Sequence, residues 1–394
     1  MTAPGSSLAE NFSLVRGGLS YRLRTRLSRV HEERARVVRW ALLATTIAWL
    51  PLLILSILQG FAYGEQLRIP FLRDFAVNVR FLVALPILIL SESSIDRQWR
   101  VLTLHFLRSR LVQEPELPSF EAVIRGITRL RDSVLPEAVM VALAYSSFLF
   151  VSHTELLMGS VSSWHIIGSG SSQRLSLAGW WFNIVSTPIV RFLLLRWAWR
   201  MFLWTLFLWR VSRIKLRLVA THSDLAAGLG FLSVGQKRFG PIVFAGGALV
   251  TSQVANAIAY NGATLSGMKF ALIAYGVSAI MLLVAPLLVL APVLRATKQR
   301  AVLDYGALVT SHNQSFAAKW IGEQAHPSEE LLGDPDASSL IDLGSSFQVV
   351  QQMKLVPITK STLIGLAAAA ALPMVPLMLA MPADQLMRLL KMLM

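Results

Sequence analysis

Apolar runs long enough to cross a bilayer recur along the whole chain, separated by arginine-rich or Gly/Pro/Ser-rich stretches. A spanning helix needs about 20 such residues. The pattern predicts seven spans, roughly 37–59, 75–91, 135–151, 180–209, 239–260, 268–294 and 361–381. The short alternating segments of a β-barrel are absent from the pattern. The expected fold is therefore all-α, a polytopic helical membrane protein with amphipathic helices on its basic side.

The polar stretches divide the chain further. Residues 1–36 form a basic N-terminal segment that opens on the small polar stretch MTAPGSS, expected to be disordered, and continues through an arginine run. Residues 37–294 hold six spans and a polar excursion at 93–134. Two amphipathic helices are expected there, at 96–112 and 118–133, separated by the QEPELP turn. A second polar helical segment covers 295–360, and 361–394 holds the last span and an interfacial tail.

Of the 394 residues 54% are hydrophobic and only 15% charged, which excludes an ordinary soluble domain. The net charge of +15 would suit nucleic acid, but the basic residues border apolar runs on alternate sides. That distribution predicts a cytoplasmic N-terminus and basic loops facing anionic lipid headgroups, and it argues against nucleic-acid binding. The arginine run leads into a full-length span, so a cleavable signal is not expected. Arginine outweighs lysine, which points to a bacterial cytoplasmic membrane. With no cysteine, disulfides, thiolate metal sites and thiol nucleophiles are excluded.

The fourth span concentrates the unusual chemistry. It reads WWFNIVSTPIVRFLLLRWAWRMFLWTLFLW and holds Trp180, Trp181, Trp197, Trp199, Trp204 and Trp209, more than half of the eleven tryptophans. An alternative cut starts the span after Pro188 and leaves 176–187 as an interfacial or re-entrant piece. Either way Arg196 and Arg200 fall inside the hydrocarbon, four residues apart on one helix face. Arg191 lies nearer its outer half. Intramembrane charges cost about 2.5–3.5 kcal/mol each on the mildest scale and need a counter-charge, hydrogen bonds or water.

Three readings compete. Glu92 or Glu137, at the inner ends of neighbouring spans, closes a structural ion pair; Arg191 and Arg200 snorkel to opposite interfaces; or the counter-charge is a mobile anion. The third defines a candidate binding set of Arg191, Arg196 and Arg200, with Gln253 and Asn256 of the fifth span as hydrogen-bonding partners and tryptophan faces as cation–π support. The expected function is binding or passage of an anionic species, whether small anion, carboxylate or lipid headgroup. The competing class is a scaffold, sensor or assembly partner that meets a soluble protein through 295–360. Oligomerisation is compatible with both.

Catalytic signatures are not found. HEER at 31–34 lacks a second zincin histidine, and neither a GxSxG elbow nor a Walker loop is present. Gly228 and Gly230 do not make a dinucleotide fingerprint, because no strand precedes them. His153 and His165 share one loop without metal-ligand spacing. His222 and Asp224 read as a capping turn, and an enzyme would require them to cluster with His312. No metal or cofactor is expected.

The segments LWRVSRIKLRLVATHSDLAAGLGFL and LLGDPDASSLIDLGSSFQVVQQMKLVP, at 331–357, resemble an uncharacterised group of bacterial multi-pass inner-membrane proteins. Those carry a similar H-x-D-x-x-G-G-L-G-F-L segment; here Ser223 and Ala227 stand where that pattern tends to have proline and glycine. The resemblance implies the topology and a bacterial source, and no activity.

Overall fold

The computed structural model describes residues 6–18, 21, 33–64, 67–157, 163–167, 174–321 and 335–379. Arg22, Arg24, Arg26 and Arg29, the His153 and Glu155 side chains, GSGSS at 168–172, the acidic loop at 322–334 and the C-terminal tail lie outside the described residues.

The architecture is helical. Helices run in the order α1 (Ser6–Glu10), α2 (Glu33–Leu58), α3 (Phe75–Arg108), α4 (Leu117–Asp132), α5 (Val134–Leu157) and α6 (Leu177–Val211). They continue with α7 (Phe231–Lys237), α8 (Gly240–Asn261), α9 (Leu265–Leu288), α10 (Ala291–Trp320), α11 (Pro335–Gln352) and α12 (Lys360–Ala371). One two-stranded ribbon pairs β1 (Ile166–Ile167) with β2 (Arg174–Leu175), antiparallel. Six helical stretches are long and apolar enough to cross a membrane: Ala35–Leu58, Phe75–Arg108, Leu177–Val211, Phe231–Asn261, Leu265–Leu288 and Lys360–Leu377. The chain is thus a multi-pass helical membrane protein. The third expected span corresponds to α5, whose described apolar part is the shorter Val134–Ser146.

Several boundaries differ from the sequence expectation, each for a local reason. The second span does not stop at Ser91 but continues through the expected 96–112 helix, so that α3 reaches Arg108 unbroken. Nothing between them breaks a helix: Ser91 turns its hydroxyl back onto the Ile87 carbonyl at 2.7 Å. The fourth span is continuous through Pro188, which rules out a separate re-entrant piece. The sixth span ends at Leu288, because Pro292 opens α10 rather than kinking α9. The N-terminal segment is not wholly without structure, since Phe12, Ser13, Leu14 and Val15 are buried.

α3 and α6 begin in the same way. Asp74 accepts a hydrogen bond from the Val77 N–H and caps α-helical 75–79. Ser176 accepts from the Gly179 N–H and caps 177–181. Each helix then passes through five π-helical residues, Arg80–Ala84 and Phe182–Ser186, and resumes α geometry one residue before a proline. The N–H of Leu85 bonds back to Arg80 and that of Thr187 to Phe182. Pro86 and Pro188 lack an N–H and crowd the preceding turn; widening that turn relieves both. Trp164 joins the two caps: its indole N–H donates to Asp74 at 2.9 Å and its carbonyl accepts from the Ser176 hydroxyl at 2.8 Å.

Below the π turns α3 and α6 run side by side around an aromatic core. Trp99 and Trp204 rings lie 5.9 Å apart, Trp204 stacks on Phe207 at 5.3 Å, and Phe106, Phe120 and Phe12 close the cluster. The amphipathic α4 and the α1 segment pack over this end. α8 lies against α3, α9 and α12, with Phe270 and Met281 of α9 exposed as a lipid-facing surface. α10 and α11 form an antiparallel hairpin.

Candidate functional site

The basic residues of α6 occupy three different environments. Arg200 is fully buried and its Nη1 donates to Glu92 Oε1 of α3 at 3.0 Å. Its guanidinium carbon sits 5.0 Å from the Trp197 ring centre, and the Trp197 indole N–H donates to the Leu88 carbonyl at 3.2 Å. Of the two acids the sequence offers, Glu92 is therefore the one that meets Arg200. The Arg200 Nη2 is buried without a hydrogen-bond partner among the described residues. A charge pair so enclosed survives because its mutual attraction offsets the cost of removing both ions from water.

Arg196 is buried one turn nearer the outer end, on the same face. Arg191 points elsewhere. It lines a cavity of about 310 Å³ with Arg80, Thr187 and Gln253, walled by Val190 and Leu194 of α6 and by Leu249 and Val250 of α8. Two guanidinium side chains from different spans thus reach one space at membrane depth. Thr187 closes the π turn of α6, and its buried hydroxyl has no partner. Arg80 lies on the π turn of α3, its guanidinium 5.8 Å from the Phe182 ring centre on the facing π turn. The two loosened turns bring Arg80 and Thr187 to the cavity.

The fifth-span pair separates. Gln253 lines this cavity, whereas Asn256 does not. Asn256 donates to Asp74 Oδ1 at 2.8 Å and accepts from the Phe75 N–H at 3.0 Å, so it secures the capped end of α3. Arg80 and Thr187 are the site residues that the sequence reading missed. Arg80 was visible as a charge inside a span, while Thr187 carried no signal.

A second acid of α3, Asp96, lies one turn beyond Glu92 and is also buried. It accepts from the Ser13 hydroxyl at 2.6 Å and from the Leu14 and Val15 N–H groups at 3.1 and 3.2 Å, with Arg100 at 3.6 Å. The N-terminal segment is thereby pinned to the basic end of α3.

His222 and Asp224 form a turn as expected. Asp224 accepts from the N–H groups of Ala226, Gly228 and Gly230. Burial pushes its carboxyl up, but those amides and the adjacent His222 outweigh it and hold Asp224 below the usual carboxylate range. His312 sits on α10 against Ser339 of α11, not beside His222. Among the described residues no three His, Asp or Glu side chains are grouped to hold a metal. No family model, curated protein or solved structure matches the chain.

Proposed function

We propose that this is a bacterial inner-membrane protein of seven spans, its N-terminus cytoplasmic, that binds or passes an anionic species through the cavity of Arg80, Thr187, Arg191 and Gln253. One observation carries this reading: two arginines from separate spans and an unpartnered buried hydroxyl line a single space at membrane depth. Guanidinium groups in a low-dielectric cavity favour an anion, and carboxylate or phosphate oxygens match their fork of donors. Arg200 belongs to the framework, since its charge is answered by Glu92. Arg196 lies between framework and cavity and tunes the potential along α6.

The test is flux and binding of a broad panel of inorganic and carboxylate anions in proteoliposomes, comparing wild type with Arg80→Gln and Arg191→Gln. Flux or binding lost in well-folded variants is the expected result. A wild type that neither binds nor passes any anion of the panel would sink the reading. The scaffold reading then takes its place, favoured by one observation: the α10–α11 hairpin exposes Leu303 and Ile341, 74% and 68% accessible.

A further inference from the structure

On the basic side, the end of α3 and the loop following α6 enclose a cavity of about 350 Å³ lined by His105, Ser109, Arg110, Arg217, His222 and Asp224, among others. Two short extended segments hold it together. The Arg217 N–H donates to the Leu111 carbonyl at 2.8 Å, and Leu216 bridges Val112. Arg110 and Arg217 are fixed beside each other by this pairing, and among the described residues neither makes an ion pair. The one acid of the lining, Asp224, is committed to three backbone amides and to His222, whose Nδ1 lies 3.0 Å away. The cavity therefore offers two guanidiniums, two imidazoles and a serine hydroxyl with no uncommitted carboxylate. A larger adjoining recess shares Arg110 and Arg217, but Glu10 and Glu114 balance its charge.

The backbone gives a second, independent observation. Arg110 follows the end of α3 in the left-handed region, at φ 56°, where glycine is the favoured residue. Leu225 and Ala227 are left-handed too, at φ 56° and 54°. Strained positions concentrate where a side chain is needed more than a relaxed backbone.

We propose that this cavity seats the phosphate group of a soluble ligand, held between Arg110 and Arg217 with His105 and His222 as further donors. Lipid and soluble phosphates share this chemistry, and depth decides between them. A hydrocarbon layer of about 30 Å accounts for about 20 residues of α3, to near Ser94, which leaves some 20 Å of helix before the cavity. Headgroups do not extend that far. The site is separate from the cavity of Arg80 and Arg191.

The experiment is calorimetric titration of inorganic pyrophosphate into the full chain in phosphatidylcholine nanodiscs. Wild type should bind saturably, and Arg217→Gln and Arg110→Gly should weaken binding by about tenfold or more. Arg110→Gly should also unfold no lower than wild type, because glycine relieves the left-handed strain. Loss of binding in that variant is then not loss of fold. Arg191→Gln should bind pyrophosphate as wild type does, which separates this site from the span cavity. No binding by wild type, or binding indifferent to both substitutions, overturns the proposal. Competition by phosphatidic acid built into the nanodisc would overturn the soluble source and assign the seat to lipid.

Discussion

Arg200 of α6 and Glu92 of α3 meet at 3.0 Å with their side chains only 2% and 1% exposed. Each ion would be untenable alone at that depth, so the pair binds the two helices and fixes their rotation about their own axes. Glu92→Gln leaves a buried guanidinium without its counter-ion and is expected to cost about 3–5 kcal/mol. Replacing both partners, Glu92→Leu with Arg200→Met, should restore most of that loss. Thermal unfolding in detergent reads both. A harmless Glu92→Gln would show that water or an anion already reaches Arg200.

Thr187 gives the opposite kind of prediction. Its hydroxyl is buried with no acceptor or donor in reach. Thr187→Val keeps the shape and removes the orphaned group, so stability should hold or rise by about 1 kcal/mol. Anion affinity should fall several-fold, on the order of one lost hydrogen bond. Were the valine variant clearly less stable, the hydroxyl would have to be bonded within the fold rather than kept for a ligand.

Asp96 makes the N-terminal segment testable. Its carboxylate collects Ser13, Leu14 and Val15, and Arg131 donates to the Ser13 carbonyl at 2.6 Å from α4. Asp96→Asn should lower the local opening energy by about 1–3 kcal/mol. Hydrogen exchange at the Leu14 and Val15 amides then speeds up while the spans stay protected. Unchanged exchange would mean that burial of Phe12 against Phe207, at 5.1 Å, holds the segment by itself.

The Asp224 turn should open in acid. Its carboxyl is held below the ordinary range in the fold, so its contribution is complete above about pH 4 and disappears as pH falls through the folded value. With no native cysteine, a single spin label at Ser223→Cys reports the turn cleanly. Label mobility should rise between about pH 4 and pH 2, below the unperturbed carboxyl value, and Asp224→Asn should be mobile at every pH. A label equally fixed at pH 2 would show that the turn does not depend on this carboxylate.

Much of this was legible in the sequence because bilayer thickness and helical rise leave few ways to place long apolar runs. The ends of α6, the capping role of Asp224 and the choice of Glu92 or Glu137 as a counter-ion all follow from residue type and depth. Rotation is what the sequence concealed. Gln253 and Asn256 are three apart and nominally share a face, yet Asp74 captures Asn256 and leaves Gln253 to the cavity. Arg80 reaches Arg191 only because the turn carrying it is widened, and apolar periodicity does not register that. The docking of Phe12, Leu14 and Val15 was hinted at only by an apolar cluster among polar neighbours.

The matched π turns carry a consequence for how this chain tolerates length change. A π turn is an α-helix with one residue too many. Removing one residue between 80 and 84 should restore α geometry, turn the rest of α3 by about 100° and draw it back about 1.5 Å. Glu92 would then face away from Arg200, and the same deletion between 182 and 186 would swing Arg200 away from Glu92. Made together, the two deletions rotate both helices by the same amount and retain their relative register. Length along these spans therefore behaves as a paired quantity, harmful to change on one helix and repairable only on the other.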